Sequence, residues 1–146
     1  MEDLTVKSPA FENNTPIPRK YSCDGLEVNP PLTIEGIPTT AKTLALIVDD
    51  PDAARGTFNH WVVWNISPTA KIEENSIPGT EGVNSAAERT YVGMCPPSGT
   101  HRYFFKAYAL DTRLELKPEA TRKKDLEKAM QGHIIAKGEL IGLYRR

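Results

Sequence analysis

Hydrophobic residues concentrate in three segments in the middle of the chain, and these segments predict the core of a β-sheet. They are rich in β-branched and aromatic residues, as strands usually are. Most of their length is apolar on both faces, so we expect them inside the structure and not at an exposed edge. The segments are residues 43–48, 58–66 and 101–110.

The remaining sequence predicts turns, one helix and a last strand. Residues 8–42 contain six prolines, which remove backbone donors and disfavour helix, so this part should form turns and short extended pieces. A helix is expected near residues 122–131, with Thr121 as its N-cap and Gly132 just after its end. Residues 137–144 are expected to form a short final strand.

A segment of about 34 residues, from Ser67 to Thr100, separates the second and third predicted strands and has little regular pattern. Loops longer than about 15 residues inside a domain are usually functional or disordered. This one contains Tyr91 and the rigid pair Pro96-Pro97, which favours an ordered, functional loop.

Length and charge narrow the class of protein. A chain of 146 residues suits a single domain spanning residues 1–146. The net charge is −1 and the isoelectric point is about 6.3, so the chain lacks the basic stripe that a nucleic-acid-binding protein needs. The longest clean apolar run, residues 44–48, is far too short to span a membrane, and we expect no integral membrane association.

The two cysteines, Cys23 and Cys95, are too few for a disulfide framework. The acidic start of the chain does not resemble a secretory signal. We therefore expect free thiols and a cytoplasmic location.

Candidate chemistry begins where the first predicted strand ends. Asp50 and Asp52 follow a buried apolar run, and His60 comes only ten residues after Asp50. Side chains two apart on a strand share a face, so Phe58 and His60 should point the same way. A hairpin between the two strands would place Asp50 and His60 at the same end of the sheet.

The third predicted strand begins with a second histidine. His101 and Tyr103 share one face by strand alternation, and Arg102 points to the other. Arg102 would then need a partner away from the pocket, and we expect a partly buried ion pair with Asp52. These two residues should support the structure and not bind the ligand.

Together these motifs resemble the two signatures of the phosphatidylethanolamine-binding protein family, which includes the Raf kinase inhibitor proteins. The beginning and end of the chain resemble its prokaryotic branch. The motifs are Asp-Pro-Asp-Ala at 50–53 with Asn-His-Trp at 59–61, Gly-Thr-His-Arg-Tyr at 99–103, and the intervening Tyr-Val-Gly at 91–93 and Cys-Pro-Pro at 95–97.

The resemblance implies a β-sandwich with one or two short helices and a small anion pocket at one end. It implies no cofactor and no metal. The expected ligand is phosphate, sulfate, acetate or a phosphoethanolamine-like head group. The expected ligand-binding residues are Asp50, Phe58, His60, Gly93, Pro96, Pro97, His101 and Tyr103. The chain has Ala54 where most relatives have proline, which leaves the local turn geometry open.

The resemblance also implies a regulatory binding protein without catalysis, with a kinase or peptidase as a protein partner and with homodimer formation. Two alternatives remain at this point. One is a hydrolase with Cys95 as nucleophile, a histidine as base and Asp50 as orienting group. The other is a zinc site formed by Asp50, His60 and His101.

Overall fold

The computed structural model describes residues 2–146 and shows a mostly β protein. Its single α-helix within these residues is α1, Lys123–Met130, and two short 3-10 turns cover Arg19–Tyr21 and Pro118–Ala120. The strands are β1 Glu2–Asp3, β2 Thr5–Lys7, β3 Thr15–Pro16, β4 Leu32–Glu35, β5 Thr43–Asp50, β6 Phe58–Ile66, β7 Lys71–Ile72, β8 Thr80–Glu81, β9 Thr100–Leu110 and β10 Ile134–Arg145.

The strands form two sheets. The larger one has the order β1-β10-β9-β5-β6-β8, and β3 also pairs with β10. Its four long strands, β10, β9, β5 and β6, are antiparallel to one another, whereas β1 and β3 pair with β10 in parallel. The smaller sheet has the order β2-β4-β7. The predicted β-sandwich with short helices is confirmed.

Both faces of the larger sheet are covered, which explains why its central strands are apolar on both sides. Leu46 of β5 and Phe105 of β9 belong to the core shared with Ile34 of the smaller sheet. On the opposite face, Trp64 of β6 packs in a second cluster with Leu126 of α1. Burying both faces fixes the phase of each strand, because a shift of one residue would exchange the two faces.

The predicted N-cap of the helix was wrong. Thr121 does not cap α1, because its hydroxyl donates to the carbonyl of Lys117 at 2.7 Å. Instead the helix begins one residue later, and the Asp125 side chain accepts a hydrogen bond from the backbone N–H of Arg122 at 3.0 Å.

None of the helices within residues 2–146 has the length and apolar character needed to cross a bilayer.

The last strand and the segment before β9 also differ from what the sequence indicated. The last strand was expected at residues 137–144, but β10 runs from Ile134 to Arg145. It is longer because it pairs with β9 along its full length. The segment between β6 and β9, which has little regular pattern in the sequence, contains the two-residue strands β7 and β8, which pair with β4 and β6.

Candidate functional site

Three strand termini meet at one end of the larger sheet. Because β5 is antiparallel to both β6 and β9, its last residues lie beside the first residues of its two neighbours. Asp50 pairs directly with Phe58 of β6, and Asp49 pairs with Phe104 of β9. This register brings Asp50, His60 and His101 to the same end of the sheet, as expected from the sequence.

A β-bulge in β6 directs His60 toward this site. Val48 pairs with Trp61, but the next residue, Asp49, pairs with Asn59, so His60 has no direct partner on β5. The extra residue allows His60 to lie with Phe58 in the pocket while Trp61 enters the core between the sheets. Bulges often redirect side chains next to functional sites. Nothing in the sequence indicated this bulge.

A cavity of about 270 Å³ occupies this end of the sheet. All eight residues predicted to bind the ligand line it; that they bind a ligand stays a prediction. Four further lining residues were missed: Ala53, Ala54, Val92 and Cys95. The two alanines follow the Asp-Pro-Asp motif and the other two lie within two residues of Gly93, so proximity in sequence was the available signal.

The Asp50 carboxylate holds the ring of His101. Nδ1–H of His101 donates to Asp50 Oδ2 at 2.7 Å, and the backbone N–H of Asp52 donates to Asp50 Oδ1 at 2.8 Å. Asp50 and His101 are 4% and 9% exposed. With Nδ1 bonded to the carboxylate, Nε2 of His101 is the ring nitrogen left for a ligand.

A backbone carbonyl and two aromatic rings hold the His60 side chain in place. Its Nδ1 lies 2.7 Å from the carbonyl oxygen of Val92, and its ring packs 4.8 Å from Phe58 and 5.4 Å from Tyr103 between centroids. Burial lowers the pKa of His60, although the Val92 carbonyl and the charge of Asp50 act in the other direction. The ring is therefore favoured in its neutral form.

Tyr103 lies between the two histidines. Its ring is 6.4 Å from that of His101 and stacked on it. The hydroxyl is buried and has no hydrogen-bond partner within residues 2–146. Burial raises the pKa of Tyr103, and the negative charge of Asp50 raises it further. The side chain thus contributes a neutral phenol to the pocket.

Arg102 faces away from the pocket and pairs with Asp52, as strand alternation predicted. Nε and Nη2 of Arg102 donate to the two Asp52 oxygens at 2.9 and 2.8 Å, and the Arg102 backbone N–H adds a third bond at 2.9 Å. These bonds lower the pKa of Asp52 to about 2. The expected partial burial of the arginine was wrong, because its side chain is 53% exposed.

The expectation of free thiols was also wrong. Cys23 and Cys95 form a disulfide, which joins the turn after the first 3-10 helix to the pocket wall. Because its sulfur is in a disulfide, Cys95 does not provide a thiolate nucleophile for a hydrolase. The basis for predicting a reducing compartment is lost as well, and the cytoplasmic location stays a prediction.

Backbone contacts hold the same wall in place. The N–H of Cys23 donates to the carbonyl of Met94 at 3.0 Å, and the N–H of Gly93 donates to the Glu27 carboxylate at 3.1 Å. A Cβ atom on Gly93 would lie 2.8 Å from the carbonyl carbon of Ser22. Only glycine allows the two backbones to approach this closely.

The zinc alternative has no supporting geometry in the described part of the chain. Within residues 2–146, no group of three or more His, Cys, Asp or Glu side chains is arranged to hold a metal ion. Nδ1 of His101 is already bonded to Asp50, and Nδ1 of His60 to a carbonyl.

Comparisons with known proteins agree with the fold and the motifs. A family model described as phosphatidylethanolamine-binding protein matches residues 7–145. A UPF0098 protein of Pyrococcus abyssi is 51% identical, with 99% of this chain and 87% of the relative covered. A UPF0098 protein of Methanothermobacter thermautotrophicus is 46% identical, with coverage of 98% and 99%.

Two solved structures have the same fold. The crystal structure of a Chlamydia trachomatis protein described as a phosphatidylethanolamine-binding protein homologue superimposes with a TM-score of 0.95 at 42% identity, covering 100% of this chain and 99% of that one. Escherichia coli YbcL, described as a new member of the mammalian family, gives 0.89 at 25% identity, with 99% of each chain covered.

Proposed function

This chain belongs to the phosphatidylethanolamine-binding protein family, and on that basis we propose that its pocket binds a small anion such as phosphate, sulfate, acetate or a phosphoethanolamine-like head group. The observation that carries the proposal is the buried 2.7 Å bond between His101 and Asp50. The carboxylate fixes the ring by Nδ1 and leaves Nε2 as the ring nitrogen that can form a hydrogen bond with the ligand.

The size and walls of the pocket support a small ligand. Its volume of about 270 Å³ is just below the range of roughly 300–1,000 Å³ typical of pockets for drug-sized molecules. Apolar side chains, among them Phe58 and Pro96, enclose the polar groups. Such surroundings exclude water and strengthen each hydrogen bond to the ligand.

We propose binding without catalysis, in a regulatory role. The described residues that line the pocket include no serine, threonine or lysine, and the one cysteine among them is oxidised. A serine, threonine, cysteine or lysine nucleophile is thus absent from these lining residues, and the Asp50 carboxylate already accepts hydrogen bonds from His101 and from the backbone of Asp52. A kinase or peptidase as partner, homodimer formation and a cytoplasmic location are predictions that accompany this proposal.

Calorimetric titration with inorganic phosphate and phosphoethanolamine tests the proposal, using the wild-type protein and His101→Gln. The substitution removes the ring that Asp50 orients, so affinity should fall at least about tenfold, as expected when a charge-assisted bond is lost. The matched control is His133→Gln. His133 also pairs with an aspartate, Asp111 at 2.8 Å, but at the opposite end of β9, so affinity should not change.

The result against the proposal would be no detectable binding of either ligand at millimolar concentration. Equal affinities for all three proteins would mean that an anion binds elsewhere on the molecule.

A further inference from the structure

The hydrogen bond to Val92 determines which ring nitrogen of His60 carries the proton. A carbonyl oxygen can only accept, so Nδ1 of His60 must be the protonated nitrogen of the 2.7 Å contact. In the neutral ring, Nε2 then carries a lone pair and no proton. Because His60 lines the pocket, it offers a ligand an acceptor and not a donor.

The surroundings of His60 keep the ring neutral near pH 7. The negative charges of Asp50 and Asp49 on β5 act on the His60 ring. On β9, Tyr103 packs against the ring and His101 lines the same pocket. The backbone of residues 92–93 lies on the remaining side and accepts a hydrogen bond from the ring. The negative charges of β5 favour protonation, but burial outweighs them and lowers the pKa of His60.

The charge balance of the pocket favours a ligand with a single negative charge. No lysine or arginine is among its described lining residues. The Asp50 carboxylate, 2.7 Å from His101, adds a negative charge to the site. A dianion would therefore place uncompensated charge in a largely buried site, which is costly.

We infer that the pocket selects a phosphate monoanion, either dihydrogen phosphate or a singly protonated phosphate monoester, over sulfate and over phosphate dianions, with a P–OH donating to His60 Nε2. This inference rests on the proposed anion site and names the chemical class that the site takes. His60 is the specificity-determining residue. A sulfate or sulfonate has no proton at neutral pH, so its oxygen would meet the lone pair of Nε2, and an acceptor would stay unsatisfied.

Methylphosphonate and methanesulfonate provide the test, because they have nearly the same shape and differ in one ionisable proton. At pH 6.5, where methylphosphonate is mostly a monoanion, both carry one charge. We expect the sulfonate to bind at least about tenfold more weakly, the usual consequence of an unsatisfied buried acceptor. Calorimetry or ligand-observed NMR with each compound measures the ratio.

The pH dependence shows whether the proton belongs to the ligand. Titrations from pH 5 to 8.5 compare methylphosphonate with difluoromethylphosphonate, whose second ionisation occurs at lower pH but still inside this range. Affinity should fall with rising pH for both, and the midpoint should follow the second pKa of each ligand. A single midpoint common to both ligands would assign the proton to a protein group and overturn the inference.

His60→Gln tests the residue itself. An amide can turn its N–H₂ group toward the ligand, so the preference for phosphonate over sulfonate should shrink to within about threefold. His133→Gln, the matched control at the far end of the sheet, should keep the wild-type ratio. A thermal melt establishes that each variant is folded.

The outcomes separate the two proposals. If neither methylphosphonate nor inorganic phosphate binds, the anion site itself is wrong. If phosphonate and sulfonate bind wild-type protein equally, the anion site stands and the selectivity through His60 is wrong.

Discussion

Arg102 follows directly after His101, yet the two residues have different tasks. Arg102 makes a bidentate pair with Asp52 on the face of β9 opposite the pocket. We expect Arg102→Ala to keep phosphate affinity within a few-fold. The melting temperature should fall only slightly, by at most about 4 °C, because half-exposed ion pairs contribute little and the backbone N–H of residue 102 still bonds Asp52.

Arg55→Ala is the matched control, since it removes an exposed positive charge from the turn next to the pocket. Phosphate titrations and thermal melts on both variants and the wild type measure the effects. A fully stable Arg102→Ala protein that no longer binds phosphate would identify the arginine as a ligand and the assigned strand phase as wrong.

At the scale of single residues, alternation along a strand was enough to predict that Arg102 faces away from the pocket, and the position of Asp52, two residues after Asp50, indicated its partner. The degree of exposure was not predictable, because it depends on which segments cover the outer face. The role of His60 was not predictable either. A carbonyl 32 residues away fixes which ring nitrogen carries the proton, and strand alternation does not show that contact.

At the scale of elements, the disulfide stabilises the wall of the pocket. It closes a separation of 72 residues between Cys23 and Cys95. Removing it with the double substitution Cys23→Ser and Cys95→Ser should cost about 2–5 kcal/mol in the free energy of unfolding, since the unfolded chain gains freedom. Phosphate affinity should change only a few-fold, because the backbone bonds of Met94 and Gly93 still position the wall.

Urea unfolding with and without a dithiol reductant measures the first effect, and phosphate titration measures the second. The reductant should destabilise the wild-type protein and leave the double variant unchanged. A tenfold loss of affinity in the double variant would instead show that the disulfide itself orders the binding site.

The sequence predicted the long strands well and the irregular features poorly. β6 has the predicted bounds, and β5 and β9 differ from prediction by one or two residues, because continuous burial on both faces leaves a strong hydrophobic signal. The bulge at His60 leaves no such signal, since it changes the pairing and not the composition. The disulfide was missed because spacing alone cannot show that two distant turns meet.

At the scale of the whole molecule, His60 and Asp52 contribute to the pH dependence of stability in separate windows. Neutral His60 is buried, and its pKa in the folded state is lowered, whereas in the unfolded chain it titrates near pH 6.5. The unfolded state therefore binds the proton more readily. This contribution to stability is complete above about pH 6.5 and decreases below it, by at most about 1.4 kcal/mol per pH unit.

Asp52 acts in a more acidic window. Arg102 lowers the pKa of Asp52 to about 2 in the folded state, while in the unfolded chain it is close to 3.9. The folded state therefore holds its proton less readily. The stabilisation is present above about pH 4 and is lost as the pH falls toward 2.

We therefore expect stability to decrease in two steps on acidification. Urea unfolding in phosphate-free buffers between pH 4.5 and 8 isolates the first step. His60→Gln should flatten the slope below pH 6.5, because glutamine takes up no proton on unfolding, whereas His133→Gln should retain the contribution of His60. Asp52→Asn should flatten the second step between pH 4 and 2 in the same way. Equal slopes for wild type and His60→Gln below pH 6.5 would mean that His60 is protonated in the folded protein, and a charged His60 would be a donor to the anion instead of the acceptor that selects it.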